Sequence, residues 1–372
     1  MSWRLDELRD KIASCTDCRA CDEACSIYLA THDDSLSPWS RVDAARAILK
    51  GGRSVKDVLR QVYSCTCCGT CTPLCPMGVP IPDVVRALRA RAAEEGAVPE
   101  PIAKLCRAVA EAGSMTGGGR EFWEAWLPEA PRLPHTAESL YLAGCMVAAR
   151  LHELGRATVE VLSMAGVDLA AMGREERCCG LLLYDHGMVD EARALAETNV
   201  SRIEERRPSR VLTACAACYW SYKQLYPRLY RRPSFEVVHV AEALAELVDE
   251  DKLRLNKRVE EKVMFLDPCH FTKALGSYEA PRKVLESVPG LRLVEPSRSR
   301  ERGLCCGASG GIRLVAREAS LAAAKLIVDE AVEAGASRIV TACPLCMFQL
   351  SRTAEERGLK VTDLPLLVKE AL

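Results

Sequence analysis

Arg177-Cys178-Cys179-Gly180 recurs as Leu304-Cys305-Cys306-Gly307, 127 positions further along a chain of 372 residues. The likeness extends outward on both sides of that tetrapeptide. Upstream, Tyr141-Leu142-Ala143-Gly144-Cys145 matches Phe265-Leu266-Asp267-Pro268-Cys269 at an offset of 124. Downstream, Thr213-Ala214-Cys215-Ala216-Ala217-Cys218 matches Thr341-Ala342-Cys343-Pro344-Leu345-Cys346 at an offset of 128. Every cysteine of the first block has a counterpart in the second, so this half of the chain is an internal duplication. Each copy reads as strands alternating with helices. Short β-rich runs at 139–142 and 210–213, and at 263–266 and 338–341, lead into cysteines. Helix-prone stretches follow at 150–165 and 189–204, and at 281–288 and 313–334. Such alternation predicts two duplicated α/β domains over 138–250 and 261–372, with ligands in the loops that follow the strands.

The first 112 residues are different in kind: rich in Arg, Ala and Glu, scarce in strand signals, and expected to form an all-α domain. Trp3, Leu5, Leu8 and Ile12 make one helical stripe within Ser2–Ser14. A second helix opens at Ser40-Arg41-Val42-Asp43 and runs to Lys50, where Gly51-Gly52 stops it. A third spans Asp83 to Glu95, before Gly96. Cys15-x2-Cys18-x2-Cys21-x3-Cys25 and Cys65-x2-Cys68-x2-Cys71-x3-Cys75-Pro76 both carry the bacterial ferredoxin spacing. In that pattern three cysteines grip one [4Fe–4S] cubane and the fourth reaches the other. The first cubane therefore takes Cys15, Cys18, Cys21 and Cys75, and the second Cys65, Cys68, Cys71 and Cys25. Ser26 departs from the pattern, standing where the second motif has Pro76. Two zinc sites would favour pairs of cysteines separated by a longer loop, which this doubled triplet spacing does not match. The 39 residues between Cys25 and Cys65 carry a helix, so the module resembles the helical ferredoxin domain of respiratory iron–sulfur subunits. Cys67 and Cys106 fall outside the scheme and read as small buried hydrophobes. Residues 113–137, with Gly117-Gly118-Gly119, Pro128, Pro131 and Pro134, read as a flexible linker. The triple glycine lacks the lysine and preceding strand of a phosphate loop.

Composition sets the outer limits. Hydrophobic residues make up 49 % and charged residues 27 %, enough apolar material for several cores. Fifty-one acidic and 50 basic residues nearly cancel to −1, which argues against a nucleic-acid binder. No apolar run approaches the roughly 18 residues of a membrane helix, and Met1-Ser2-Trp3-Arg4-Leu5-Asp6-Glu7 is charged where a signal peptide would be apolar. A cytoplasmic chain is expected, without a transmembrane segment of its own, reaching the inner face of the cell membrane only through a partner subunit. Twenty cysteines in such a chain point to metal and not to disulfides.

The repeated block has the form Cys-x32-Cys-Cys-Gly-x34-Cys-x-x-Cys in the first copy and Cys-x35-Cys-Cys-Gly-x35-Cys-x-x-Cys in the second. Five thiolates exceed the four that a cubane uses, adjacent cysteines suit the bridging of two metals, and glycine after the pair would admit a bulky cluster. With the helical ferredoxin before them, these blocks resemble the heterodisulfide reductase family of CCG-domain iron–sulfur proteins, in the fused layout of its D-type catalytic subunits. Relatives include the iron–sulfur subunits of glycolate oxidase and anaerobic glycerol-3-phosphate dehydrogenase. The resemblance covers nearly the whole chain. It implies one non-cubane [4Fe–4S] cluster on Cys145, Cys178, Cys179, Cys215 and Cys218, and another on Cys269, Cys305, Cys306, Cys343 and Cys346. The two would flank a cleft, each taking one sulfur of a disulfide substrate, with electrons arriving singly through the cubanes. These ten cysteines would be the catalytic set. His270, beside Cys269, is the candidate proton donor, with Lys273 and His186 behind it. The other role open to His270 is a hydrogen bond to a cluster sulfur or a backbone carbonyl. The loop Gly307-Ala308-Ser309-Gly310-Gly311 is expected to shape the cleft, and His32, His135, His152 and His239 read as ordinary surface or core residues. No flavin or nicotinamide fingerprint is present, so the electron donor must be another chain: a flavoprotein, a hydrogenase or a membrane cytochrome subunit. Three readings stay open: reduction of a disulfide; an electron relay from a glycolate, lactate or glycerol-3-phosphate flavin dehydrogenase to quinone; and a zinc or interaction protein, which iron content would separate from the others.

Overall fold

A computed structural model describes residues 4–118, 120–127 and 133–372. Trp3, Gly119, Pro128 and Pro131, all named above, lie outside the described residues. Before Ser139 the described elements are helices and turns, among them α1 (Ser26–Thr31), α2 (Pro38–Leu49), α3 (Ile81–Glu94) and α4 (Glu100–Ala112). Leu5, Leu8 and Ile12 are buried, as their stripe predicts. Helix α2 starts two residues earlier than expected. Ser37 caps it by accepting the Ser40 N–H at 3.0 Å, and Pro38 supplies a preset φ in the first turn. Pro82 does the same for α3. Within the stretch read as a linker, Arg120–Glu124 is helical and Trp123 and Trp126 are buried, Trp126 edge-on to Tyr141 at 5.4 Å. Apolar burial ties this segment to the first α/β copy.

Each copy holds a four-stranded, wholly parallel sheet. The first contains β1 (Ser139–Leu142), β2 (Leu169–Ala171), β3 (Arg210–Thr213) and β4 (Glu236–His239), in the order β2-β1-β3-β4. The second contains β5 (Lys262–Leu266), β6 (Arg292–Val294), β7 (Arg338–Thr341) and β8 (Lys360–Asp363), in the order β6-β5-β7-β8. The chain leaves β1 for one neighbour and returns to the other, so the sheet reverses its winding between β1 and β3, and likewise between β5 and β7. A crevice opens there at the carboxyl ends of the strands. Cys145 and Cys215 follow β1 and β3, and Cys269 and Cys343 follow β5 and β7.

Six longer helices cover the sheets: α5 (His152–Met164), α6 (Val189–Glu205), α7 (Val240–Asp249), α8 (Glu279–Glu286), α9 (Arg317–Glu333) and α10 (Pro344–Glu355), and the C-terminal α11 (Leu364–Ala371) completes the set. The stretch 313–334, expected as one helix, is broken at Ala316 (φ −145°, ψ 58°). The short turn before the break buries Ile312 with Ile27, Leu36, Ala319 and Ala323, joining α9 to α1 of the ferredoxin module. The copies meet through two equivalent seams, α5 against α11 and α7 against α8. An ion pair crosses each: Glu160 to Lys369 at 2.6 Å, and Asp249 to Lys283 at 2.6 Å.

The ferredoxin module is wedged against both copies. From α3, Arg89 is fully buried and donates to the Val62, Cys65 and Asp185 carbonyls, while Arg86 pairs with the buried Asp185 at 2.8 Å. Gly187 closes this junction. Its φ is +81°, and a Cβ there would lie 2.3 Å from Ala90 Cα. Gly187→Ala is therefore expected to lower stability by about 1–3 kcal/mol through overpacking against backbone, on top of a left-handed penalty of about 1–2 kcal/mol, read as a fall in melting temperature. Gly166→Ala has the same backbone sign (φ +78°) but open space around it. That control should cost only the left-handed penalty of about 1–2 kcal/mol.

Candidate iron–sulfur sites

Cys25, Cys65, Cys68 and Cys71 line one small cavity, together with Arg41 and Thr66. The two motifs thus exchange their fourth cysteine: Cys25 comes from the first, the other three from the second. Cys21 is brought near Cys15 and Cys75, and burial followed by the Asp22, Cys15 and Cys75 charges pushes its thiol up to about 12. Cys18 is exposed. Among the described residues no three His, Cys, Asp or Glu side chains converge tightly enough to grip a single metal ion. An all-thiol donor set around one cavity fits an iron–sulfur cluster.

In the first copy the sulfurs form a chain of contacts. Cys178 meets Cys145 and Cys179, Cys179 meets Cys218, and Cys218 meets Cys215. In the second, Cys305 meets Cys269 and Cys306, Cys306 lies 3.1 Å from Cys346, and Cys346 meets Cys343. Two further contacts leave the copies. Cys215 touches Cys343, so the two nests adjoin. Cys305 touches Cys68 and lies 3.6 Å from Thr66 Oγ1, so the second nest adjoins the ferredoxin cavity. Residues 307–311 meet both the first copy and the ferredoxin module: a Cβ on Gly311 would lie 2.9 Å from His186 Nε2. Ser309 Oγ donates to the Thr66 carbonyl at 2.8 Å, docking that loop on the ferredoxin module. The glycine after each cysteine pair serves the helix behind it: Gly307 has φ +79°, and a Cβ there would sit 2.8 Å from Ala323 Cβ on α9.

Two single π-helical turns, Ser221–Leu225 and Cys269–Lys273, flank the nests. The second aims His270 Nδ1 at Cys269 Sγ, 3.3 Å away, with the buried ring edge-on to Trp220 at 5.5 Å. Burial alone would lower the pKa of His270, but the adjacent Cys269 thiolate overrides it and lifts the group to about 9. Lys273 Nζ donates to the Gly303 carbonyl at 2.6 Å. His186 is fully buried at the module junction, stacked on Tyr63 at 5.7 Å, and desolvation drives its pKa well down. His239 caps α7 by accepting the Ala241 N–H and stacks on Phe271 of the other copy at 3.9 Å.

A buried carboxylate anchors the first strand end of each copy, from different places. In the first copy Glu176 accepts the Ala143 and Gly144 N–H groups at 3.1 and 2.6 Å, and burial raises its pKa to about 7. In the second, Asp267 replaces Ala143 and Gly303 replaces Glu176. Asp267 takes both Arg282 Nη atoms at 3.0 and 2.9 Å and the Arg300 N–H at 2.8 Å. No sequence signal singled out Glu176, Arg282 or Arg41. Each is recognisable only once burial is known, although the exchange of Ala143 and Glu176 for Asp267 and Gly303 is a trace of it in the aligned repeats.

Comparison with known proteins shows the same order of domains. Residues 139–223 and 263–351 match the model of the cysteine-rich domain family called CCG, and residues 11–79 match a 4Fe-4S dicluster domain. The D-type subunit of dihydromethanophenazine:CoB–CoM heterodisulfide reductase from Methanosarcina barkeri is 31 % identical, over 97 % of this chain and 94 % of that protein. The chain belongs to the family of heterodisulfide reductase D-type subunits. As a member of the heterodisulfide reductase family it is an iron–sulfur oxidoreductase component. A fumarate reductase (CoM/CoB) subunit of Methanothermobacter marburgensis is 29 % identical, over 94 % of this chain and 69 % of that protein. EtfAB:quinone oxidoreductase of Syntrophomonas wolfei is also 29 % identical, over 84 % of this chain and 46 % of that protein. No described helix is long and apolar enough to cross a membrane.

Proposed function

We propose that this chain reduces a small-molecule disulfide, using electrons that enter through two cubanes and reach two paired non-cubane clusters. The observation that carries the reading is the contact between Cys215 and Cys343, which sets two complete five-cysteine nests against each other. Cys15, Cys18, Cys21 and Cys75 would hold one [4Fe–4S] cubane, and Cys65, Cys68, Cys71 and Cys25 the other. Cys145, Cys178, Cys179, Cys215 and Cys218 would hold one non-cubane cluster, and Cys269, Cys305, Cys306, Cys343 and Cys346 its twin. Bound there, iron–sulfur centres supply single electrons and iron sites with affinity for thiolates. Cutting a disulfide takes two electrons and two protons and releases two thiols. His270, held against Cys269, would hold a proton at that point. The modules would run over 1–112, 138–250 and 261–372, with 113–137 between the first two. Electrons would come from a partner subunit (a flavoprotein, a hydrogenase or a membrane cytochrome), which could place a cytoplasmic chain on the inner face of the membrane.

The purified, iron-loaded chain should carry roughly 16 Fe and should oxidise reduced viologen only when a disulfide such as the coenzyme M–coenzyme B heterodisulfide is added. Absence of disulfide-dependent oxidation at full iron content would overturn the reading. A second reading, electron relay from a flavin dehydrogenase to quinone, draws support from the likeness to EtfAB:quinone oxidoreductase. In that case a co-purifying flavoprotein would reduce the clusters and disulfides would be inert.

A further inference from the structure

Arg41 lies on α2 with 1 % of its surface exposed. Its Nε donates to the Gln61 carbonyl at 3.0 Å, and its guanidinium lines the cavity formed by Cys25, Cys65, Cys68 and Cys71. One amino group, Nη2, is buried without a hydrogen-bond partner. Although burial works against its charge, the Cys65 and Cys25 thiolates hold the pKa of Arg41 above its ordinary value. A second buried guanidinium, Arg89, stands behind the same loop, 2.6 Å from the Cys65 carbonyl and 3.6 Å from Cys67 Sγ. Neither arginine is ion-paired with a carboxylate among the described residues.

The other ferredoxin set is built differently. Cys15 and Cys21 each lie 3.7 Å from a carboxylate, Asp17 and Asp22. Each of those carboxylates is matched by an arginine: Asp17 by Arg46 at 2.9 Å and Asp22 by Arg19 at 2.7 Å. Asp34 also pairs with Arg19, so the exposed set sees three carboxylates against two arginines, while the buried set sees two guanidiniums with no carboxylate ion-paired to either among the described residues. Adding an electron makes a cluster more negative. A buried cation favours that state, and does so strongly where the dielectric is low.

We infer that Arg41 is a positioning residue for charge: it holds the reduction potential at Cys25, Cys65, Cys68 and Cys71 above that at Cys15, Cys18, Cys21 and Cys75. This rests on the cubane assignments proposed above. One electron then passes from the exposed set to the buried one downhill, with no proton or bond change. It arrives where Cys68 touches Cys305, at the threshold of the duplicated half. The unpartnered Nη2 has a purpose on this account, since a cluster held by the neighbouring cysteines would supply its acceptor.

The test is a redox titration of the full, iron-loaded chain followed by electron paramagnetic resonance, with Cys18→Ser used to mark the signal of the exposed cluster. In the unaltered protein the buried cluster should be reduced first, at the higher potential. Arg41→Gln should move that midpoint to lower potential while iron content and the other midpoint hold, and Arg41→Lys should fall between. A reversed order in the unaltered protein would overturn the inference, as would an unmoved midpoint in a folded, iron-replete Arg41→Gln chain. If Arg41→Gln does not fold, the order in the unaltered protein decides alone. Failure of the cubane assignments would look different: Cys25→Ser would then leave both signals intact.

Discussion

Cys343→Ala is expected to lose about a quarter of the iron, roughly 4 of 16 atoms per chain, and to cut disulfide-dependent viologen oxidation by more than about 100-fold. This cysteine follows β7 at the point where the sheet reverses, meets Cys346 within its own nest, and touches Cys215 in the other. One substitution thus removes a proposed ligand and the contact between the two nests. Cys106→Ala is the matched control. Cys106 is equally buried but belongs to neither the ferredoxin motifs nor the repeats. It should leave iron and turnover unchanged and cost about 1 kcal/mol of stability. Iron analysis beside the viologen assay separates the outcomes. Full iron with full activity in Cys343→Ala would remove the second nest from the mechanism.

The second large effect is on stability. Arg282→Met should cost about 3–5 kcal/mol, because it strands the Asp267 carboxylate in the interior. Both side chains are almost inaccessible, at 2 % and 1 % exposure, and two charge-assisted bonds join them. Replacing both partners with apolar residues should recover much of the loss, since the charge and its desolvation disappear together. Asp267 stands two residues before Cys269, so the single variant should also lose iron from the second nest on mild heating. Thermal melts followed in the visible absorption and in the far-ultraviolet circular dichroism would show whether the cluster or the fold yields first. A melting temperature within a degree or two of the parent would show that the pair is energetically idle.

Cysteine spacing carried much of the architecture into view. Strands β1, β3, β5 and β7 were legible because each is a short apolar run that ends in a cysteine-bearing loop. The outer strands were not. Leu169–Ala171 and Arg292–Val294 span three residues each, too few to show an alternation. The break at Ala316 was hidden for another reason: Arg313–Ala334 has a continuous helix-forming composition, and only packing of Ile312 on α1 interrupts it. The site divided along the same line. Which cysteines belong to one motif is a local property, and spacing displays it. That Cys215 meets Cys343, and Cys68 meets Cys305, depends on how separately folded units dock. The contact of the loop at 307–311 with Thr66 was hidden for the same reason.

The ion pairs across the two seams have a consequence for assembly. In the first copy the seam helices carry Glu160 and Asp249; in the second they carry Lys283 and Lys369. Two first halves brought together through this geometry would set glutamate against aspartate, and two second halves would set lysine against lysine. Each pair is half exposed and adds little attraction of its own. Reversal of sign nonetheless penalises both like-with-like associations, leaving the mixed couple as the favoured one. A nascent chain is thereby steered to close on its own other half, and not on the matching half of a neighbour.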